Sequence, residues 1–307
     1  MPSDAGVSPP TPRRTTGISS STSRRSERRR RMRVEFFGVR GTTPLTTGAA
    51  TAFGRNTSCL AVTSAAGDLL IFDAGTGLEA LGRRLRETGG RAPRRIHLFL
   101  THVHFDHIQG LPFFAPLYAA GAEIVFTSAF PARRLRRNLV RFMSPPFFPA
   151  RFAGTASSKT FRRLGRDPVV IGGMTVSACP LRHPQSSFAY RLAEGAFSLV
   201  LATDTEHPPS GLDERLAAFS RGASVLVYDA MYTPEEYEAR RRGWGHSTWA
   251  AGVRLARAAG VERLLLFHLN PDYSDADLEG IEGLARAEFP AAVCAREGML
   301  ETETIGR

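Results

Sequence analysis

Six consecutive residues, His102-Val103-His104-Phe105-Asp106-His107, place three imidazoles and a carboxylate directly after the short apolar run 96–100. Residues two apart on an extended chain point to the same side, so His102 and His104 present both rings to one point. Asp106 and His107 follow where 105–110 is expected to start a helix, which turns their side chains toward a second point. Imidazole and carboxylate are the groups a borderline ion such as Zn²⁺ takes. Four such groups in six residues suggest two metals rather than one. The chain has only eight histidines, so three of them at the end of one apolar strand do not read as a chance polar cluster.

The partners of this segment must come from elsewhere, and a loop leaving the end of a strand is where they are expected. His183 follows a strand expected at 175–178, Asp204 one at 198–202, and His268 one at 264–267. Alone, each reads as a satisfied structural polar residue. Their shared position just past a strand makes them candidate ligands. Further strands are expected at 33–38, 60–63, 69–73, 96–100, 124–127, 169–171, 188–192 and 225–228, with helices at 76–87, 133–142, 234–241, 248–259 and 275–287. Gly89-Gly90 is expected to stop the first helix. Three prolines keep 143–150 irregular.

With 42% hydrophobic residues the chain has enough apolar material for a sizeable core, which excludes a wholly disordered or collagenous protein. The net charge of +11 is almost all arginine, and residues 1–31 hold eight arginines against Asp4 and Glu27. That segment is rich in Ser, Thr and Pro, lacks periodicity and is expected to be a disordered Arg-rich tail. Residues 32–307 form the expected hydrolase domain, and Met32 would serve as a start codon. A second reading makes the tail a basic arm for nucleic acid. Cys59, Cys179 and Cys294 are too few and too far apart for a disulfide framework, and a reducing cytoplasm is expected. No membrane span and no secretory signal are legible.

His102-x-His104-x-Asp106-His107, followed in order by His183, Asp204 and His268, resembles the metallo-β-lactamase fold hydrolases. Asp73 in Asp73-Ala74-Gly75-Thr76-Gly77 resembles the carboxylate of that fold's first motif, which supports the metal loop from behind. The resemblance covers residues 32–304. It implies an α/β, four-layer αββα sandwich and two divalent ions, Zn²⁺ or Mn²⁺. His102, His104 and His183 would hold one ion, Asp106, His107 and His268 the other, and Asp204 would bridge. Asp106 thus counts as catalytic as well as metal-ligating. Water between the ions would fall from a pKa of ~15.7 toward ~7 and attack as a hydroxide.

Gly243-Trp244-Gly245-His246-Ser247-Thr248 resembles the His-Ser-Thr segment of the ribonuclease Z and cyclic phosphodiesterase branch. The resemblance makes His246 the general acid on the leaving oxygen. Ser247 and Thr248 read equally as helix caps. Loops 38–44 and 55–59 are expected to border the site. Asp229 and Tyr228 are expected to orient His246, and His207 and His97 to lie outside the ligand set. Transfer-RNA-processing ribonuclease Z enzymes carry an arm between the counterparts of His183 and Asp204. Only 21 residues separate them here, which favours a small or cyclic nucleotide-type phosphodiester as substrate. Excess chain lies at 130–166, rich in arginine, and is expected to form a lid or dimer contact with Phe147 and Phe148 near the substrate. The alternatives are an RNA 3′-end endonuclease, a thioester or lactam hydrolase on the same fold, and a nucleic-acid-binding protein using the tail. Nucleic acid is thus an optional partner, and a homodimer is implied by the branch, with no interface marked in the sequence.

Overall fold

The computed structural model describes residues 31–46, 51–87 and 93–302. The expected tail over residues 1–30 and the Gly89-Gly90 helix stop lie outside them. Two sheets of seven strands form the body among the described residues. The first contains β1 (Arg33–Gly38), β2 (Cys59–Thr63), β3 (Leu69–Phe72), β4 (Arg95–Phe99), β5 (Glu123–Ser128) and β6 (Ser158–Arg163). The second contains β7 (Val169–Ile171), β8 (Met174–Leu181), β9 (Ser187–Glu194), β10 (Phe197–Ala202), β11 (Val225–Asp229), β12 (Arg263–Phe267) and β13 (Ala292–Cys294). A last strand, β14 (Leu300–Thr302), returns to pair with β1. Each sheet begins with antiparallel neighbours and continues as parallel ones, β3 through β6 and β10 through β13.

Helices cover the outer faces. Leu78 and Leu81 of α1 (Gly77–Glu87) and Leu135 and Leu139 of α2 (Ala132–Phe142) pack on Ile71, Leu98 and Phe126 of the first sheet. The opposite faces of both sheets meet in the main core, where Phe72, Phe99 and Tyr190 touch ring to ring. That core continues beyond the second sheet to α3 (Glu214–Ser220) and, after the single turn α4 (Pro234–Glu236), to α5 (Trp249–Ala259) and α6 (Asp275–Glu288). The order helix, sheet, sheet, helix is the expected αββα sandwich.

Local sequence explains the frame. β10 and β11 are buried along their whole length, as parallel strands covered on both faces must be. The Thr248 hydroxyl accepts from Ala251 N at 3.2 Å to open α5, and Gly260 at φ +62° closes it in the left-handed region.

Three expectations change. The helix expected over 105–110 is two short 3-10 turns, because Ala74 N donates to His107 O and Gly110 N to Ala74 O, tying the segment to the loop after β3. The helix expected over 234–241 is α4 followed by a π turn, Tyr237–Arg241, whose buried Tyr237 donates its hydroxyl to Glu206. The 130–166 excursion holds α2 and the edge strand β6. The sequence of β6, SKTFRR, carries no apolar alternation, and its charges suit an exposed edge. Phe148 meets Phe113, while Phe147 is exposed. The residue of the excursion that reaches toward the metal motif is instead Phe142, packed on Phe105. The interval from His183 to Asp204 is filled by β9, β10 and their hairpin.

Candidate metal centre

Every parallel strand in the middle of the two sheets ends at one edge, and the candidate residues leave from those ends. Asp73 follows β3, His102 follows β4, Asp204 follows β10, Asp229 ends β11 and His268 follows β12. Asp73, Asp204 and His268 have φ of +61°, +55° and +57°. Non-glycine residues rarely occupy that region, and they cluster where a site over-determines the backbone. The turn at each strand end is thus bent to aim one side chain inward.

Three groups of donors result among the described residues, the ligand atoms of each within 4.8 Å of one another; one is Asp229, His246 and His268, and the other two are the donor sets of the metal motif. His102, His104, His183 and Asp204 form the first; Asp106, His107, Asp204 and His268 form the second. Asp204 belongs to both. Its Oδ1 is 3.6 Å from His102 Nε2 and 4.0 Å from His183 Nε2, while its Oδ2 is 3.1 Å from His107 Nε2 and 3.4 Å from His268 Nε2. All seven residues singled out as ligands in the sequence are brought together.

The surroundings fix which nitrogen of the His107 and His183 rings faces the centre. His107 Nδ1 donates to Asp73 Oδ2 at 2.7 Å, and His183 Nδ1 donates to Gly245 O at 2.7 Å. Asp73 is itself held by Thr101 N and Oγ1 and by Ser58 Oγ. Such outer partners orient a ligating imidazole and set its tautomer. Two glycines allow the close approach. A Cβ on Gly41 would stand 2.4 Å from His268 Nδ1, and one on Gly245, at φ +87°, 2.5 Å from His183 Nδ1.

The buried Nε2 atoms of His102 and His107 make no hydrogen bond. Buried polar atoms seldom go unpaired, and here lone pairs of imidazole converge on carboxylate oxygens. Such a donor set suits divalent cations, so the residues fit the ions that the motif implies. Burial pushes the His102 and His183 imidazoles down, toward the neutral form a metal ligand requires. Burial acts to raise the Asp106 and Asp204 carboxyls, yet the imidazoles of His107 and His268 hold both well below the usual carboxylate range.

His246 stands against this cluster, its ring stacked on His268 at 4.9 Å and edge-on to His183 at 5.3 Å. Its Nδ1 donates to Asp229 Oδ2 at 2.9 Å, which leaves Nε2 available to a ligand. Asp229 is fully buried and also accepts from Thr205 N, Met231 N and Ser247 N. Burial would lower the His246 pKa, but the Asp229 carboxylate outweighs it and raises the pKa to about 9. Ser247 does not cap α5; its hydroxyl meets His207 Nδ1 and the Tyr228 hydroxyl. His207 and the buried His97 lie outside both donor sets. Loop 38–44 borders the centre, where Thr42 N donates to Asp106 Oδ2 at 2.8 Å.

Residues 69–269 match the beta-lactamase superfamily domain. The chain belongs to the beta-lactamase superfamily. Membership agrees with the αββα frame and with the donor sets at its edge. Within the superfamily the chain is 28% identical over 292 residues to a ribonuclease Z of Salinibacter ruber, a match covering 79% of this chain and 88% of that one. Its fold is similar to that of the metallo-beta-lactamase fold protein YhfI from Bacillus subtilis, with a TM-score of 0.66 and 20% identity over 89% of this chain and 100% of the other. Human tRNase Z, short form, is similar at a TM-score of 0.60 and 18% identity, covering 89% of this chain and 100% of that chain.

Glu206 is a residue that sequence reasoning passed over. Its carboxylate accepts from Gly243 N, Gly245 N and the Tyr237 hydroxyl, and so holds the loop whose carbonyl orients His183 and which leads into His246. Only its place two residues after Asp204 hinted at a role. Arg241 and Trp244 were missed as well. With Phe105 and Tyr232 they rim an open pocket of about 450 Å³ that has Asp106, Asp204 and His246 in its wall. No helix among the described residues is long and apolar enough to cross a membrane.

Proposed function

We propose that the chain is a dinuclear metal-dependent phosphodiesterase acting on a nucleotide-type diester. The observation that carries this reading is the Asp229–His246 pair set beside Asp204. His102, His104 and His183 would hold one divalent ion, Asp106, His107 and His268 the other, and Asp204 both. Bound ions would supply Lewis-acid stabilisation of phosphoryl oxygens and a lowered pKa for water. His246, whose Nδ1 is held by the Asp229 carboxylate, would donate the Nε2 proton to the leaving oxygen while Asp229 keeps the ring in place. A lactam or thioester hydrolase has less need of a carboxylate-backed imidazolium at this place. The pocket, about 450 Å³, has room for one nucleotide-sized group, with Trp244 and Phe105 at its rim as stacking faces. The name ribonuclease Z carried by relatives supports the phosphodiester class.

The test is turnover by the zinc- or manganese-loaded chain of an activated aryl phosphodiester and of an unactivated dinucleotide, whose alkoxide leaving group needs a proton, the latter also by the His246→Ala variant. We expect metal-dependent turnover in the parent and a loss of 100-fold or more in the variant at unchanged metal content. A metal-loaded parent that hydrolyses a thioester or lactam but no diester would overturn the assignment.

A further inference from the structure

Residues 124–166 contain nine arginines, one lysine and no aspartate or glutamate. Outside residues 1–31, this segment is where the chain's positive charge gathers. Five of these arginines lie on α2, which has no acidic residue. The buried side of α2 is Leu135 and Leu139, and every arginine on it is exposed. Among the described residues no carboxylate pairs with any of the five. Arg134 instead lies over the Phe130 ring at 4.6 Å. Arg133, Arg137 and Arg141 recur every four residues, about 6 Å apart along one side of a helix. With Arg136 they line a concavity of about 560 Å³ floored by Val140.

The end of α2 reaches the pocket rim, and the chain just before its start packs on the strand that follows the His183 turn. Near its start, Phe130 packs on Phe188, just past the β8–β9 turn that carries His183. At its end, Phe142 packs on Phe105, between His104 and Asp106. Phe105 and Trp244 stand 63% and 56% exposed at the pocket rim. A row of guanidinium groups leading to exposed aromatic faces is how proteins hold a single nucleic-acid strand, phosphates on the cations and bases on the rings.

We propose that α2 is a docking surface for an extended single-stranded polynucleotide, which it holds by its phosphates while one nucleotide enters the metal-site pocket. This deepens the phosphodiesterase reading and rests on it for the fate of the bound strand, but not for binding. The site would then take chain-like substrates in preference to a free cyclic nucleotide.

The experiment compares the full chain with a variant carrying Arg133→Ala, Arg136→Ala, Arg137→Ala and Arg141→Ala. The probe is a fluorescent 12-nucleotide single-stranded RNA of mixed sequence, followed by anisotropy across a salt series. The parent should bind with a steep salt dependence. The variant should bind at least tenfold more weakly, with a log–log salt slope shallower by about 3, near 0.7 for each phosphate that is no longer neutralised. If the strand is cleaved, its KM should rise at least tenfold, with a smaller change in kcat. Equal affinity and equal slope in the two proteins would overturn the proposal. So would failure of the parent to bind RNA while it binds vesicles of phosphatidylserine. Turnover of the aryl diester reports separately on the metal centre: if no diester is hydrolysed yet RNA binding depends on α2, the phosphodiesterase reading fails and the docking surface stands.

Discussion

Two regions of this molecule crowd like groups together, and they tolerate it for opposite reasons. Around Asp204, imidazoles and carboxylates are packed together, most of them buried, on bent strand ends at the wall of an open pocket. Along α2, five arginines stand in water with no acidic neighbour on their helix. Buried groups of this kind carry a large desolvation cost that only cations or mutual hydrogen bonds offset. Exposed charges are screened by solvent and salt within roughly 10 Å. The first region therefore holds its geometry at the expense of stability and gains from an ion. The second contributes little to folding and is free to serve a partner.

The strongest way to break this contrast is Asp204→Ala, which removes the group shared by both donor sets. Turnover should fall by about a thousandfold or more, and bound metal, counted by elemental analysis, should drop to one per chain or fewer. Full metal content in that variant would mean that the two sets do not depend on each other. Chelation is next. Removing metal should lower the stability seen in thermal unfolding, by about 4 kcal/mol relative to protein in ion at a thousand times its Kd. An unchanged melting temperature would show that the buried cluster needs no ion to offset its burial.

Asp229→Asn sharpens the comparison inside the site, because it keeps the shape of the side chain and removes the charge behind His246. We expect kcat to fall about 100-fold, equivalent to ~2.7 kcal/mol, with metal content unchanged. Loss of metal in this variant would place Asp229 among the groups that hold the ions. The smallest effect belongs to α2. Arg136→Ala should change unfolding free energy by no more than about 0.5 kcal/mol in denaturant titration, whereas a cost above about 2 kcal/mol would show that the arginine row is part of the folded frame.

Legibility followed the same division. His102 to His107 could be read because four ligands fall within six residues of chain and their spacing alone implies convergence. His183, Asp204 and His268 were legible only as polar residues just past apolar strands. Glu206 was not legible, since its role depends on three donors contributed by residues 237, 243 and 245. The strand β6 escaped because its sequence lacks alternation; it pairs through its backbone with β5 at a sheet edge. The arginine content of 130–166 was legible in the sequence, but its arrangement on an exposed side of α2 was not, because composition carries no information about which face of the fold collects the charge.

By itself the sequence determined the succession of strands and helices and the identity of the groups at their ends, through apolar periodicity and the local spacing of imidazole and carboxylate; the αββα frame came only with the family resemblance that those groups carry. Tertiary structure alone decided that Asp204 presents one oxygen to each donor set, that Glu206 holds the loop leading into His246, and that the end of α2 meets Phe105 at the pocket rim. Those facts depend on contacts between residues far apart in the chain, as between His102 and Asp204. Periodicity reports only on neighbours along the chain, while the packing of two sheets decides which distant strand ends meet.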